Sequence, residues 1–231
     1  MSPSFCVYVS AIKNYKNEIN ESTIFDCGVL EGGCRLLIYM DGGRQIIDRC
    51  NITSNRVNED IGGYSMSSIS TDSFIKYTTI RSNNQSTSYY FGLCYHHSST
   101  YDKLISAISC SYVENRQINT DGRLIATATK LSMFDCCILR NEFTYTFYLI
   151  SQGSIVFNSS FADKYSATSE ASSVKYVNTF ASSECKYYQV DIIENENKEN
   201  SEYEEAELYD VEKIKRIVRY LDRKSNFIQF L

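Results

Sequence analysis

The chain has 231 residues and a formal net charge of −5, with no concentrated basic run in its body, which excludes a general nucleic-acid binder because phosphate contact needs clustered Lys and Arg. Apolar residues make up 43% of it, enough to bury a core, and 19 Tyr and 12 Phe with one Pro and no Trp favour extended, pleated backbone. No run of about 18 apolar residues could span a bilayer, and Met1-Ser2-Pro3-Ser4 places no basic leader before the apolar stretch at residues 6–12.

Along the chain one motif recurs. It reads Phe25-Asp26-Cys27-Gly28-Val29, Arg49-Cys50-Asn51-Ile52-Thr53-Ser54-Asn55 and Tyr77-Thr78-Thr79-Ile80-Arg81-Ser82-Asn83. It continues as Ser109-Cys110-Ser111-Tyr112-Val113-Glu114-Asn115, Asp135-Cys136-Cys137-Ile138-Leu139-Arg140-Asn141 and, more loosely, Phe157-Asn158-Ser159-Ser160-Phe161-Ala162-Asp163. Aligned on Cys27, Cys50, Thr78, Cys110, Cys136 and Asn158, the units are 23, 28, 32, 26 and 22 residues apart, so each reads as one coil with loops inserted in the longer ones. A second extended run precedes each column, at residues 35–40, 64–69, 89–95, 124–130 and 146–150, and Gly32-Gly33, Gly42-Gly43, Gly62-Gly63, Gly122 and Gly153 punctuate them as turns.

Stacking explains the residue choice. An inward residue beside its own equivalents must be small or self-complementary, which suits Cys, Thr and Asn. Beside that column Val29, Ile52, Ile80, Tyr112 and Ile138 form an apolar ladder, and Asn55, Asn83, Asn115 and Asn141 suit a turn, since Asn tolerates the left-handed region. Nine Cys is an odd number, so at least one thiol is free or intermolecular. There is no C-x-x-C pair, and Cys136 and Cys137 face opposite sides of a strand, which argues against zinc. In-register stacking holds column Cβ atoms about 4.8 Å apart, beyond the usual ~3.5–4.5 Å of a disulfide. The ladder therefore reads as reduced, close-packed core.

These repeated short strands with Cys, Thr and Asn columns resemble the right-handed β-helix repeat proteins, particularly the Asn/Ile/Tyr/Ser-rich surface-type proteins of protozoan origin, over residues 5–190. The resemblance implies a fold shared by polysaccharide lyases, glycoside hydrolases and adhesin-like proteins, and fold alone does not choose among them. A leucine-rich repeat has a similar period, but no L-x-x-L-x-L run recurs.

After about residue 193 the composition shifts. Residues 194–202 form an acidic linker with nothing to bury. Leu208, Val211, Ile214, Ile217, Val218 and Leu221 then recur at spacings of three and four, which predicts an amphipathic helix and tail over 203–231, with Glu204, Glu205 and Glu207 at its start and Arg219, Arg223 and Lys224 toward its end. Its apolar face suits capping an open end of the solenoid.

The chemistry is sparser. Asp26 and Asp135 precede column cysteines four rungs apart, about 19 Å at the sheet spacing, too far for an acid/base pair, and Asp48 is offset by one residue. His96-His97 reads as a surface pair, with Cys94 and Asp102 nearby in a spacing that is not specific. Glycosylation tripeptides occur at Asn20, Asn51, Asn84 and Asn158. The whole reads as an all-β, right-handed parallel β-helix of about six to seven coils over 1–193 with a C-terminal helix. The expected function is a non-catalytic binding or structural module for carbohydrate or protein, with no cofactor or metal, no nucleic acid and no transmembrane segment. A polysaccharide lyase or glycoside hydrolase is the alternative. No compartment is assigned: a surface or secreted position follows if the chain is part of a longer protein, a cytoplasmic one otherwise.

Overall fold

Short runs of alternating apolar and polar residues, each ended by a bend, become three or four strands per coil in the computed structural model. The structure describes residues 4–11, 15–28, 34–86, 91–98, 100–117, 121–167, 173–180, 182, 184 and 185. The chain divides into two units, Met1–Val190 and Asp191–Leu231, and every described residue belongs to the first. The linker expected at 194–202 and the helix and tail expected at 203–231 lie outside the described residues.

In successive coils the strands are β1 (Ser4–Ser10), β2 (Lys16–Asn20) and β3 (Thr23–Phe25), then β4 (Cys34–Asp41), β5 (Arg44–Asp48), β6 (Asn51–Thr53) and β7 (Arg56–Val57). Next come β8 (Ile61–Ile69), β9 (Ser73–Lys76), β10 (Thr79–Arg81) and β11 (Asn84–Gln85), followed by β12 (Cys94–Ser98), β13 (Leu104–Ile108), β14 (Ser111–Val113) and β15 (Arg116–Gln117). The last are β16 (Arg123–Thr127), β17 (Lys130–Phe134), β18 (Cys137–Leu139), β19 (Tyr145–Leu149), β20 (Ser154–Asn158), β21 (Phe161–Ala162) and β22 (Val174–Val177). Like pairs with like in parallel, giving sheet 1 (β1-β4-β8-β12-β16-β19), sheet 2 (β2-β5-β9-β13-β17-β20-β22), sheet 3 (β3-β6-β10-β14-β18-β21) and sheet 4 (β7-β11-β15). The protein is an all-β parallel β-solenoid. The third extended run falls later than the sequence suggests: β12 begins at Cys94.

The core is a stack of ladders. Sheet 3 contributes Ile24, Ile52, Ile80, Tyr112, Ile138 and Ala162 in register. Sheet 2 contributes Ile47, Ile75, Ala107, Met133 and Phe157, and sheet 1 Ile38, Tyr64, Cys94, Ile125 and Phe147. All belong to one apolar cluster.

Two bends of constant length hold this register. Between sheets 2 and 3 the first bend residue is left-handed (Glu21, Arg49, Tyr77, Ser109, Asp135, Ser159). The second, the column residue, donates its side-chain hydrogen to the carbonyl two residues back. Ser22 bonds Asn20 at 2.8 Å, Cys50 bonds Asp48 at 3.2 Å, Thr78 bonds Lys76 at 2.9 Å, Cys110 bonds Ile108 at 3.3 Å, Cys136 bonds Phe134 at 3.4 Å and Ser160 bonds Asn158 at 2.7 Å. Thr78 and Ser160 also accept the N–H of Cys50 and Cys136 from the coil before. Cys, Thr and Ser are interchangeable here because each carries one small γ-donor.

This corrects the alignment at both ends. The column runs Ser22, Cys50, Thr78, Cys110, Cys136, Ser160, and Asn158 stands two residues earlier, at the end of β20 opposite Phe134. Cys27 belongs to the second bend, where Asp26, Ser54, Ser82, Glu114 and Arg140 are left-handed and Cys27, Asn55, Asn83, Asn115 and Asn141 follow them. The slip arises because both bends use the same local bond: Cys27 Sγ donates to Phe25 O at 3.4 Å, so a cysteine fits either. Val29 lies outside the described residues, and Ile24 fills the ladder position opposite Ile52.

The asparagines are not themselves left-handed; they are an internal ladder. Asn55, Asn83 and Asn115 each donate Nδ2–H to the Oδ1 of the next asparagine, at 2.9–3.0 Å. Each also donates to a backbone carbonyl of the coil before, Ile24, Ile52 and Ile80 respectively. Their Oδ1 atoms, and that of Asn141, accept the backbone N–H of Cys27, Asn55, Asn83 and Asn115. The buried bend thereby satisfies its own polar groups.

Candidate binding face

Strand alternation sends the two histidines to opposite sides of β12. His96 is fully buried, which overturns its reading as a surface residue. Its Nδ1 faces the Ala126 carbonyl at 3.2 Å, which can only accept, so Nδ1 carries the proton and Nε2 accepts the Tyr64 hydroxyl at 2.9 Å. Tyr64 in turn accepts from the Tyr112 hydroxyl at 3.0 Å. Burial pushes the His96 pKa down to about 4 and the Tyr64, Tyr112 and Cys94 groups upward. The interior chain is satisfied and neutral, a structural network without access for a substrate.

His97 points outward, half-buried, with Ser68 N–H donating to its Nδ1 at 3.4 Å. Burial lowers its pKa and Asp41 opposes that shift. It borders an aromatic layer on sheet 1, where Tyr39, Ser65, Tyr95, Ala126 and Tyr148 stack in register, large and small alternating. That layer is largely filled by itself: Tyr95 is only 8% exposed, 4.5 Å from the Phe91 ring, and Arg123 lies 3.6 Å over Tyr148. Its pleat is also interrupted, with register shifts between Leu36 and Ile38 and between His96 and Ser98.

Sheet 2 presents a different outer face. Glu18, Ile46, Phe74, Ser106, Ser132, Val156 and Lys175 form one outward row, and Asn20, Asp48, Lys76, Ile108, Phe134, Asn158 and Val177 the next. Phe134 is 47% exposed, and Tyr77 in the adjoining bend and Val156 are each 38% exposed. Cations border the rings: Arg44 and Lys76 lie 5.5 and 5.1 Å from the Phe74 centroid, and Lys76 lies 5.8 Å from Tyr77. Ser106 and Ser132 stand side by side between Phe74 and Val156. Exposed rings, hydroxyls and cations on an unbroken sheet make this the candidate face.

Comparison with family models, curated proteins and solved structures found no match to this chain. The face is therefore judged on its own chemistry.

Carboxylates do come together, but around cations. One Arg49 nitrogen lies 3.0 Å from Glu21 and 3.6 Å from Asp48, which brings the two carboxylates within about 7 Å of each other, inside the range of an acid/base pair. Arg49 fills the space between them, where a glycosidic oxygen would have to sit, and Lys76 holds Asp48 at 3.3 Å. Glu59 and Asp60 likewise share Arg35, and burial raises the Asp60 pKa against the pull of that guanidinium. Asp26 and Asp135 are in different bends, paired with Arg56 and Ser109. Asp102, at the surface, bonds Thr100 and Lys103 and is not part of a triad with Cys94, which is buried. Among the described residues no group of three or more His, Cys, Asp or Glu is placed to hold a metal ion, and no helix is long and apolar enough to cross a membrane. Of the four glycosylation tripeptides, Asn51 and Asn84 are buried and Asn20 is exposed.

Sequence reasoning missed the candidate face because its residues do not repeat. Phe74, Ser106, Ser132 and Val156 share a row only once the bend register is known, and the five-residue slip at Cys27 hides that register in the first coil.

Proposed function

We propose that the protein is a non-catalytic β-solenoid binding module that takes an extended carbohydrate chain along the outer face of sheet 2. The observation that carries this reading is the exposure of Phe134 and Tyr77 beside the Ser106–Ser132 pair on a sheet with no register shift. A sugar ring offers an apolar C–H face and a rim of hydroxyls, so its receptor needs flat rings and side-chain donors and acceptors interleaved. Tyr77 and Phe134 lie two strands apart, about 9.6 Å at the sheet spacing, close to the length of a disaccharide unit. Arg44 and Lys130, both exposed at the border, would favour an acidic or sulfated chain over a neutral one.

The test is a glycan array run beside a polysaccharide-depolymerisation screen. Reproducible glycan binding without product release is expected, weakened about five- to tenfold by Phe134→Ala, the loss of one exposed aromatic contact. Product release would replace this reading with the lyase or hydrolase alternative, for which the Glu59–Asp60 pair, with its raised buried carboxyl, is the place to look. Capture of proteins with no glycan bound would overturn the carbohydrate assignment.

A further inference from the structure

The outward row of sheet 3 changes character along the solenoid. Thr23, Asn51, Thr79 and Ser111 are polar, and then Cys137 and Phe161 take the same row, with Val113 and Leu139 beside them. Cys137, Leu139 and Phe161 face away from the core, yet they are buried and form a small apolar cluster of their own with Cys185. What covers them is the chain itself. The Phe180 ring stacks on Phe161 at 6.4 Å, Phe180 N–H donates to Ser160 O at 3.4 Å, and Cys185 is disulfide-bonded to Cys137, 48 residues earlier. The row turns apolar where this segment crosses it.

The two kinds of cysteine are differently placed. Cys50, Cys94, Cys110 and Cys136 are buried as thiols inside the solenoid, whereas Cys185 is partly exposed. Cys27 is a half-buried free thiol, and among the described residues Cys137–Cys185 is the one disulfide.

We propose that Cys137–Cys185 is a redox-releasable clasp, and that a dithiol reductant frees residues 178–180, 182, 184 and 185 and uncovers the apolar patch of Cys137, Leu139 and Phe161. A thiolate of the reductant attacks Cys185 Sγ, the accessible sulfur, because Cys137 is only 2% exposed. The S–S bond breaks, the Cys137 thiolate leaves and takes a proton, and Cys185 is held in a mixed disulfide. The second thiol of the reductant resolves it, releasing the Cys185 thiol. The protein gains two electrons and two protons, and the reductant leaves as its own disulfide. Among the described residues the anchors besides that bond are the ring stack and the long Phe180 hydrogen bond, both weak, so reduction shifts these residues toward release.

The experiment is differential alkylation of the full chain, read by mass spectrometry together with limited proteolysis, before and after dithiothreitol without denaturant. Before reduction, neither Cys137 nor Cys185 should be labelled. After it both should label, with Cys50, Cys110 and Cys136 still protected, and cleavage within residues 178–185 should rise at least tenfold while far-ultraviolet circular dichroism is unchanged. Cys185→Ser should behave like the reduced protein in the absence of reductant. Labelling of both cysteines without reductant would overturn the proposal, as would a reduced protein, or Cys185→Ser, in which Cys137 stays protected and cleavage does not rise. Labelling of the ladder thiols on reduction would overturn it too, since the bond would then hold the solenoid together rather than a clasp upon it.

Discussion

Replacing Asn83 by Ala tests the account of the asparagine ladder most directly. The Asn83 carboxamide accepts the N–H and the Nδ2–H of Asn55 through Oδ1, and donates through Nδ2 to the Ile52 carbonyl and Asn115 Oδ1, all at 2.8–3.0 Å. Truncation strands the Asn55 N–H and removes the side-chain bond to the Ile52 carbonyl, which keeps its ladder bond, in residues with no solvent exposure. An unsatisfied buried group costs about 1–3 kcal/mol and an ordinary lost hydrogen bond about 1 kcal/mol, so the loss should total about 3 kcal/mol. Ser82, the exposed left-handed residue next to it, is the control, with Ser82→Ala expected within about 1 kcal/mol of the parent. Because solenoid repeats unfold with partial independence, amide exchange is a better readout than a single melting curve. Protection of the Asn55 amide should fall about a hundredfold in Asn83→Ala and little in Ser82→Ala. A loss below about 1 kcal/mol, or equal effects of the two variants, would refute the ladder as a source of stability.

His96 predicts a pH dependence with a definite sign. Its folded pKa of about 4 lies below the ordinary 6.5, so the unfolded chain takes up the proton first; stability holds above 6.5, falls through the interval, and is lower by about 3 kcal/mol below 4. Urea midpoints of the parent and His96→Gln between pH 7 and 4 check this, and equal slopes would dismiss it. In the small column, Cys110→Thr should cost about 1 kcal/mol or less, because Thr78 already makes the equivalent bond, whereas Cys110→Leu should cost about 1–3 kcal/mol by overpacking; chemical denaturation decides. Gly42 has φ +71° and an added Cβ would lie 2.2 Å from the Ala11 carbonyl oxygen, so Gly42→Ala should destabilise by more than about 1 kcal/mol, measurable as a fall in melting temperature.

The solenoid was legible because its bends repeat chemically. A γ-donor at Cys50, Thr78, Cys110 and Cys136, and an asparagine five residues on, mark the interior even though neither is strongly apolar. The register of the first coil was not, since Ser22 and Cys27 each satisfy the same bond to the carbonyl two residues back, and chemical likeness favours the wrong one. His96 was misjudged for a similar reason: a histidine beside another looks exposed until strand alternation and the distant partners Tyr64, Tyr112 and Ala126 give it a place inside. Cys137–Cys185 joins the repeat to residues beyond it, so no periodicity could have revealed it.

The mechanics of the coil also say where recognition can sit. The bends from sheet 2 to sheet 3 and from sheet 3 to sheet 4 always contain two residues, while the connections from sheet 1 to sheet 2 vary, from 42–43 to 99–103. Length change is absorbed on the sheet 1 side, where register shifts and a filled aromatic layer follow. Sheets 3 and 4 keep their register but have strands of only two or three residues. Sheet 2 alone combines four- and five-residue strands with pairing that stays in step through all seven. A ligand with its own repeat can stay matched to a protein surface only where the surface repeats without slipping. On that ground, substitutions at Phe74, Ser106, Ser132 and Phe134 should change what is bound while leaving the ladders, and therefore the fold, intact.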